Sequence, residues 1–180
     1  MQVDYIINQV NALIKRTGTR NPKDICKFLD YKLRFMDLQH KLKGYFIVIN
    51  RITNIVIDDN VIDIFQPVLI AHELGHAFLH KELATMSGFQ ELEFFEKRET
   101  APMEYEANLF AAELLLEDEQ VLELLNEYTF FETASILNVP ASLLDFKFIL
   151  LQAKGYRIRP VEISKSTFLK ENNGAYGTHD

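Results

Sequence analysis

Apolar residues in the first part of the chain recur at helical spacing, then give way to short continuous runs. Val3, Ile6, Ile7, Val10, Leu13 and Ile14 stand three and four apart, which predicts a helix over residues 3–16 with Gly18 just past its end. Asn21-Pro22 reads as a cap followed by a first helical position, opening a second helix to about Leu29. Leu33 and Phe35, with Asp37-Leu38 beyond, predict a short strand. Tyr45 to Ile49 and Ile55 to Asp58 are β-rich runs joined through Asn50 to Asn54, the pattern of a hairpin. From Ile62 the helical period returns and holds to about His80. Residues 85–100 are polar and irregular, with Gly88 as a breaker. Helices then follow over about 102–116, 118–127, 130–137 and 141–153, and Gly155 ends the last.

Helices, a small sheet, then more helices make an α+β chain rather than an alternating α/β one. The pattern divides at residues 1–128, at a small helix-turn-helix-like extension over 129–163, and at a polar tail over 164–180 that is expected to be flexible. Composition supports a packed core: 48% of the 180 residues are hydrophobic, enough to fold without disulfide staples. Cys26 is the single cysteine, which excludes an internal disulfide framework and a cysteine-based zinc site within one chain. The formal net charge of −7 argues against direct binding to nucleic acid or to an anionic membrane. The opening MQVDYIINQV lacks the basic and apolar regions of a signal peptide, and no apolar run approaches the roughly 20 residues that span a bilayer. The expected location is cytoplasmic.

The chemistry concentrates in His72-Glu73-Leu74-Gly75-His76. Histidines at i and i+4 leave a helix on one face, one turn apart, so two neutral imidazoles can reach one ion at about 2.0–2.1 Å. Glu73 lies at the edge of that face, where a carboxylate can take a proton from water that zinc has made acidic. This is the mechanical content of HExxH, the signature of a zinc-dependent peptidase. Two histidines on a helix need no metal, but here Ile70, Ala71, Leu74, Ala77 and Phe78 form an apolar stripe opposite them, so one side packs while the other presents the imidazoles.

A catalytic zinc needs a third protein ligand and an open position. The candidates are His80, Glu104, Glu106 and Glu113. An unbroken helix puts His80 about 12 Å along the axis from His72, too far to share an ion with both histidines. It reads instead as a helix-end residue supporting the site or as a solvated one. On the 102–116 helix, Glu104 shares a face with Ala107, Asn108, Ala111 and Leu115, and the alanines would admit a close neighbour. Glu106, Glu113 and Glu117 fall on a charged face expected to be solvated. A carboxylate on the packing face needs a partner, and a metal is one, which favours Glu104 over Glu106. Asn108, one turn on, could support a ligand from outside.

His72-Glu-Leu-Gly-His-Ala-Phe-Leu-His80, followed by Glu104-Tyr-Glu-Ala-Asn-Leu-Phe-Ala-Ala-Glu-Leu-Leu115, resembles the ImmA/IrrE family of metallopeptidases. The first motif is common to many zincins. The Glu-x-x-Ala-Asn-x-Phe-Ala-Ala form of the second is far more particular, and Ile136-Leu-Asn-Val-Pro140 looks like the family's C-terminal region. The likeness covers roughly residues 40–155. It implies a zincin-like fold with an HExxH active helix and a small antiparallel or mixed sheet. It also implies a gluzincin-type site in which His72, His76 and Glu104 bind Zn2+, Glu73 is the general base and Asn108 takes the place of the supporting Asp or Asn. Family members on phages and mobile elements inactivate helix-turn-helix repressors by cleaving them, so the implied partner is a protein substrate of that kind and the implied role that of an anti-repressor. The rival reading is a noncatalytic, zinc-stabilised module that sequesters a repressor or antitoxin.

Other features carry two readings each. Residues 133–147 have a helix-turn-helix look, but Asp145 and Lys147 among Leu143, Leu144, Phe146 and Phe148 make a poor electrostatic footprint for DNA. Packing on the peptidase core, or grip on a repressor, fits better. Ile55 to Asp58 is either a sheet edge beside the cleft, to which a peptide could add, or an ordinary core strand. The acidic run from Glu91 to Glu99 is a solvated surface or a flap anchored by Phe94-Phe95. Tyr105 and His40 could stabilise an oxyanion, against the simpler readings of a packing tyrosine and an exposed histidine.

Overall fold

The predicted apolar stripe of the first helix, α1 (Val3–Thr17), is what the fold buries: Ile6, Ile7, Val10 and Leu13 enter the core. A computed structural model describes residues 3–39, 41–80 and 101–158. The expectations for His40, for the 85–100 segment with Phe94-Phe95 and for the tail from residue 164 lie outside the described residues. Gly18, at φ 71°, ends α1 in the left-handed region and its N–H donates to Ile14 O at 2.8 Å. Asn21 Oδ1 accepts from Lys23 N at 2.9 Å and caps α2 (Pro22–Phe28), as the Asn-Pro pair predicts.

Three strands follow: β1 (Lys32–Met36), β2 (Gly44–Ile49) and β3 (Ile52–Asp58). Their order is β1-β3-β2, with β1 parallel and β2 antiparallel to β3, so the small sheet is mixed. Two expectations change. The hairpin turn is only Asn50-Arg51, both at positive φ (51° and 67°), the backbone twist that suits a two-residue hairpin, and β3 therefore starts at Ile52. Ile55 to Asp58 is not a sheet edge: β3 is the central strand, and among the described residues β2 and β1 are the edges.

A 3-10 turn at Asp63–Phe65 leads into α3 (Gln66–Leu79), which carries Pro67 in its first turn and starts four residues later than the apolar period predicts. The remaining described elements are helices: α4 (Ala101–Leu115), α5 (Asp118–Glu127), α6 (Phe130–Ile136) and α7 (Ala141–Ala153). Helix α3 packs on β2 and β3 and on α4, and α4 also packs on α1 and α7. The chain is α+β. Among the described residues no single helix is long and apolar enough to cross a membrane.

The C-terminal helices are set by local signals. Thr129 and Glu132 form a reciprocal capping box at the start of α6. Asn138, at φ 55°, ends it, with Val139 N donating to Ala134 O at 3.0 Å. Helices α6 and α7 bend by 107° across this turn, an angle typical of helix-turn-helix pairs.

The expected exposure of Glu113 is overturned, because it pairs with a buried lysine. Lys147 is 0% exposed and Glu113 1%. Lys147 Nζ donates to Glu113 Oε2 at 2.9 Å and pairs with Asp118, while Lys154 Nζ reaches Glu113 Oε1 at 2.6 Å and Asp118 Oδ2 at 2.7 Å. The charges are buried because each meets a partner, which offsets its desolvation. Arg20 Nη1 adds hydrogen bonds to Glu113 O (2.9 Å) and Leu114 O (3.2 Å) at the negative end of α4.

Candidate metal centre

His72 and His76 leave α3 one turn apart, both buried, with rings edge to face at 4.7 Å between centroids. Glu104, in the first turn of α4, brings Oε2 to 3.3 Å from His72 Nε2 and Oε1 to 3.2 Å from His76 Nε2. The two Nε2 atoms are 3.1 Å apart. Asn108, one helical turn after Glu104, accepts from His72 Nδ1 through Oδ1 at 2.9 Å. The neutral tautomer that donates through Nδ1 keeps its Nε2 lone pair turned toward the other two groups.

These three side chains could hold a divalent cation. Ligands about 2.1 Å from one ion at a tetrahedral angle stand about 3.4 Å apart, close to the separations seen here. Two imidazole nitrogens and one carboxylate are also a donor set used by open zinc sites. A second acidic group, Asp37, Asp58 and Asp59, gathers at the ends of β1 and β3. There Asp58 Oδ1 accepts from Leu38 N (3.2 Å) and from Asn60 N (3.2 Å), fastening the chain after both strands.

The convergence depends on how closely α3 and α4 approach. A Cβ at Gly75 would stand 3.1 Å from Phe110 Cβ and 3.2 Å from both Cα and O of Ala107. The helices meet nearly backbone to backbone there, so a carboxylate on α4 can reach imidazoles on α3. Glycine inside a helix costs about 1 kcal/mol against alanine, and this contact is the physical reason to accept it.

Glu73 is buried on the same helix, and its position depends on a second glycine. A Cβ at Gly44, the first residue of β2, would stand 3.2 Å from both Cγ and Oε1 of Glu73 and 3.1 Å from Ile57 Cδ1. Burial pushes the Glu73 carboxyl up to about 7, helped by the nearby Glu104 charge and opposed by His72. The other groups of the cluster diverge. Burial pushes the His76 imidazole down to about 4, against the Glu104 hydrogen bond. His72 is buried too, but the Glu104 hydrogen bond, the Glu73 and Glu104 charges and Asn108 together raise it. Burial would also raise Glu104, yet hydrogen bonds from His72 and His76 hold its carboxyl well below the usual carboxylate range. Gly44→Ala is expected to crowd Glu73 by tenths of an ångström and lower kcat of a peptidase reaction severalfold, with the melting temperature little changed. A misplacement of about 1 Å at a reacting group is worth about a hundredfold, and this one is smaller. Steady-state kinetics beside a thermal melt would check it.

Of the residues singled out from the sequence, His72, Glu73, His76, Glu104 and Asn108 come together. Glu106 and Glu113 do not join them, and neither is solvated. Glu113 belongs to the lysine network. Glu106, 7% exposed, stands 3.3 Å from His80 Nε2. His80 itself is the buried C-cap of α3 rather than a solvated residue. The Tyr105 ring meets Phe146 edge-on at 5.5 Å and stays partly exposed. Gly44 and Gly75 carry no titratable group, so the sequence marks them only as glycines, one opening a strand and one inside the HExxH motif.

The IrrE N-terminal-like domain family matches residues 26–147, from within α2 to within α7, and so includes every residue of the cluster. The chain belongs to the ImmA/IrrE metallopeptidase family. One relative, "Metallopeptidase ImmA" of Bacillus subtilis (strain 168), is 32% identical over 171 residues, which is 88% of this chain and 93% of the relative. Another, "Uncharacterized immunity region protein 2" of Bacillus phage phi105, is 33% identical over 142 residues, 77% of this chain and 85% of that protein. ImmA/IrrE membership, with its metallopeptidase class, agrees with the HExxH reading of α3, and the gathered His/His/Glu group matches the need of such a peptidase for a divalent metal.

Proposed function

We propose that this chain is a zinc-dependent endopeptidase that cleaves a helix-turn-helix repressor, an anti-repressor of the phage or mobile-element type acting in the cytoplasm. The observation that carries the reading is the approach of His72 Nε2, His76 Nε2 and the Glu104 carboxylate to within 3.1–3.3 Å of one another, with Glu73 beside them. His72, His76 and Glu104 would hold the ion, and Asn108 holds His72 in the tautomer that leaves Nε2 free to bind. Zinc, when bound, supplies Lewis-acid chemistry at the scissile carbonyl. Glu73 takes a proton from the attacking water and passes it to the leaving nitrogen. Its burial suits both tasks, because a carboxyl near neutrality can accept and return a proton.

The substrate class rests on the company the family keeps: one relative is named a metallopeptidase and the other an immunity-region protein. A net charge of −7 also suits action on a DNA-binding protein better than on the DNA. Among the described residues no strand pairs with the outer side of β2, and that side offers a place for the peptide. As an edge strand whose first residue touches Glu73, it could hydrogen-bond an extended segment of substrate and lead it to the base.

The test is incubation of the zinc-loaded protein with a helix-turn-helix repressor encoded beside it, with and without a chelator. The expected result is cleavage at a single site that the chelator stops and added zinc restores. An intact repressor under loaded conditions, or a cut indifferent to chelator, would overturn the reading.

A further inference from the structure

His80 and Glu106 form a buried contact beside the centre, and the chemistry above does not use it. His80 closes α3, its backbone N–H donating to His76 O at 2.8 Å. Its side chain turns inward, with Nε2 3.3 Å from Glu106 Oε2, and both residues are 7% exposed. The backbone of Met103 is near enough to the same imidazole to favour its charged form. Its ring lies 5.8 Å from that of His76. Met103 and Glu106 flank Glu104 along the chain, so one side chain from the end of α3 meets α4 beside the carboxylate that faces the imidazoles.

The placement answers a mechanical problem. Glu104 is the fourth residue of α4, inside the turn whose backbone N–H groups have no partners within the helix and which frays most readily. The contact of Gly75 with Ala107 and Phe110 fixes α4 one turn further along. The His80 contact adds a point of attachment in the turn that carries Glu104. Burying an imidazole and a carboxylate costs desolvation that an apolar pair would avoid. The polar contact therefore needs a reason beyond packing, and seating Glu104 supplies one.

We propose that His80 and Glu106 are positioning residues for the metal centre: they seat the first turn of α4 so that Glu104 arrives at the His72–His76 pair. This rests on the metal-site reading above. Neither residue touches the ion or the substrate in this scheme; both act through Glu104.

The test is a double-mutant cycle read by zinc affinity, in competition with a chromophoric chelator, and not by activity. His80→Ala should weaken zinc binding about tenfold, the low end for loss of a supporting partner. In a Glu104→Ala background the same substitution should change affinity less than about twofold, because the carboxylate it seats is gone. His80→Gln, which keeps a side-chain donor for Glu106, should recover most of the loss, whereas a merely space-filling role would predict no such rescue. If His80→Ala does not fold when metal-free, judged by its melt, Glu106→Gln takes its place in the cycle, with an expected weakening of about threefold to tenfold and the same silence without Glu104. Equal losses in both backgrounds, or unaltered zinc affinity, would overturn the proposal while leaving the metal site standing. Failure of the unsubstituted protein to bind zinc would overturn both.

Discussion

Glu73→Gln is expected to abolish peptide cleavage while leaving zinc bound. The amide has the shape of the carboxylate, so it still fits over Gly44. It cannot accept the proton from water, and loss of a positioned general base costs about a hundred- to ten-thousand-fold in kcat. Because Glu73 is not one of the three converging groups, metal content should stay within error of the parent protein. The sign of the pH effect follows from the same residue. Burial lifts the carboxyl to about 7, and a cation beside it favours the ionised form and draws the value down. Activity of the parent protein should therefore fall on the acid side at a pH below 7, as the base becomes protonated, and the residual activity of the variant should lack that limb. The measurements are kcat against pH and metal analysis of both proteins. A variant that cuts as fast as its parent would remove Glu73 from the mechanism.

The second large effect is on stability. Lys147→Met should destabilise the protein by about 3 kcal/mol, the low end of the range for breaking a buried ion pair. Methionine fills the space but leaves Glu113, 1% exposed, with one ammonium partner instead of two. Lys154 remains at 2.6 Å from Glu113, and this keeps the loss from being larger. Urea denaturation followed by circular dichroism should show a lower midpoint with an unchanged slope. A shift worth less than about 1 kcal/mol would mean the network contributes packing rather than charge pairing.

The candidate site was largely legible in the chain because helical spacing turns sequence distance into a face. His72 and His76 at i and i+4, and Glu104 with Asn108 at i and i+4 on a later helix, each point one way with no tertiary information. Ala107 on the Glu104 face signalled that another helix could come close, and Gly75 is what meets it. Three things were not legible, for separate physical reasons. Glu106 and Glu113 look like solvated residues because charge argues for water, and only a partner distant in sequence reverses that: Lys147 for Glu113, His80 for Glu106. Strand order is invisible to local pattern, so nothing in Ile55 to Asp58 discloses that β1 pairs along its other side. The hairpin turn hides because Arg51, at φ 67°, adopts a conformation that side chains other than Gly and Asn seldom take.

The close seating of Gly75 on Ala107 also orders events during synthesis. A ribosome-bound chain displays its two imidazoles well before the acidic group from the following helix has emerged, and nothing gathers the set until the helices dock. The three groups are thus apart in the newborn polypeptide and meet only in the finished tertiary structure.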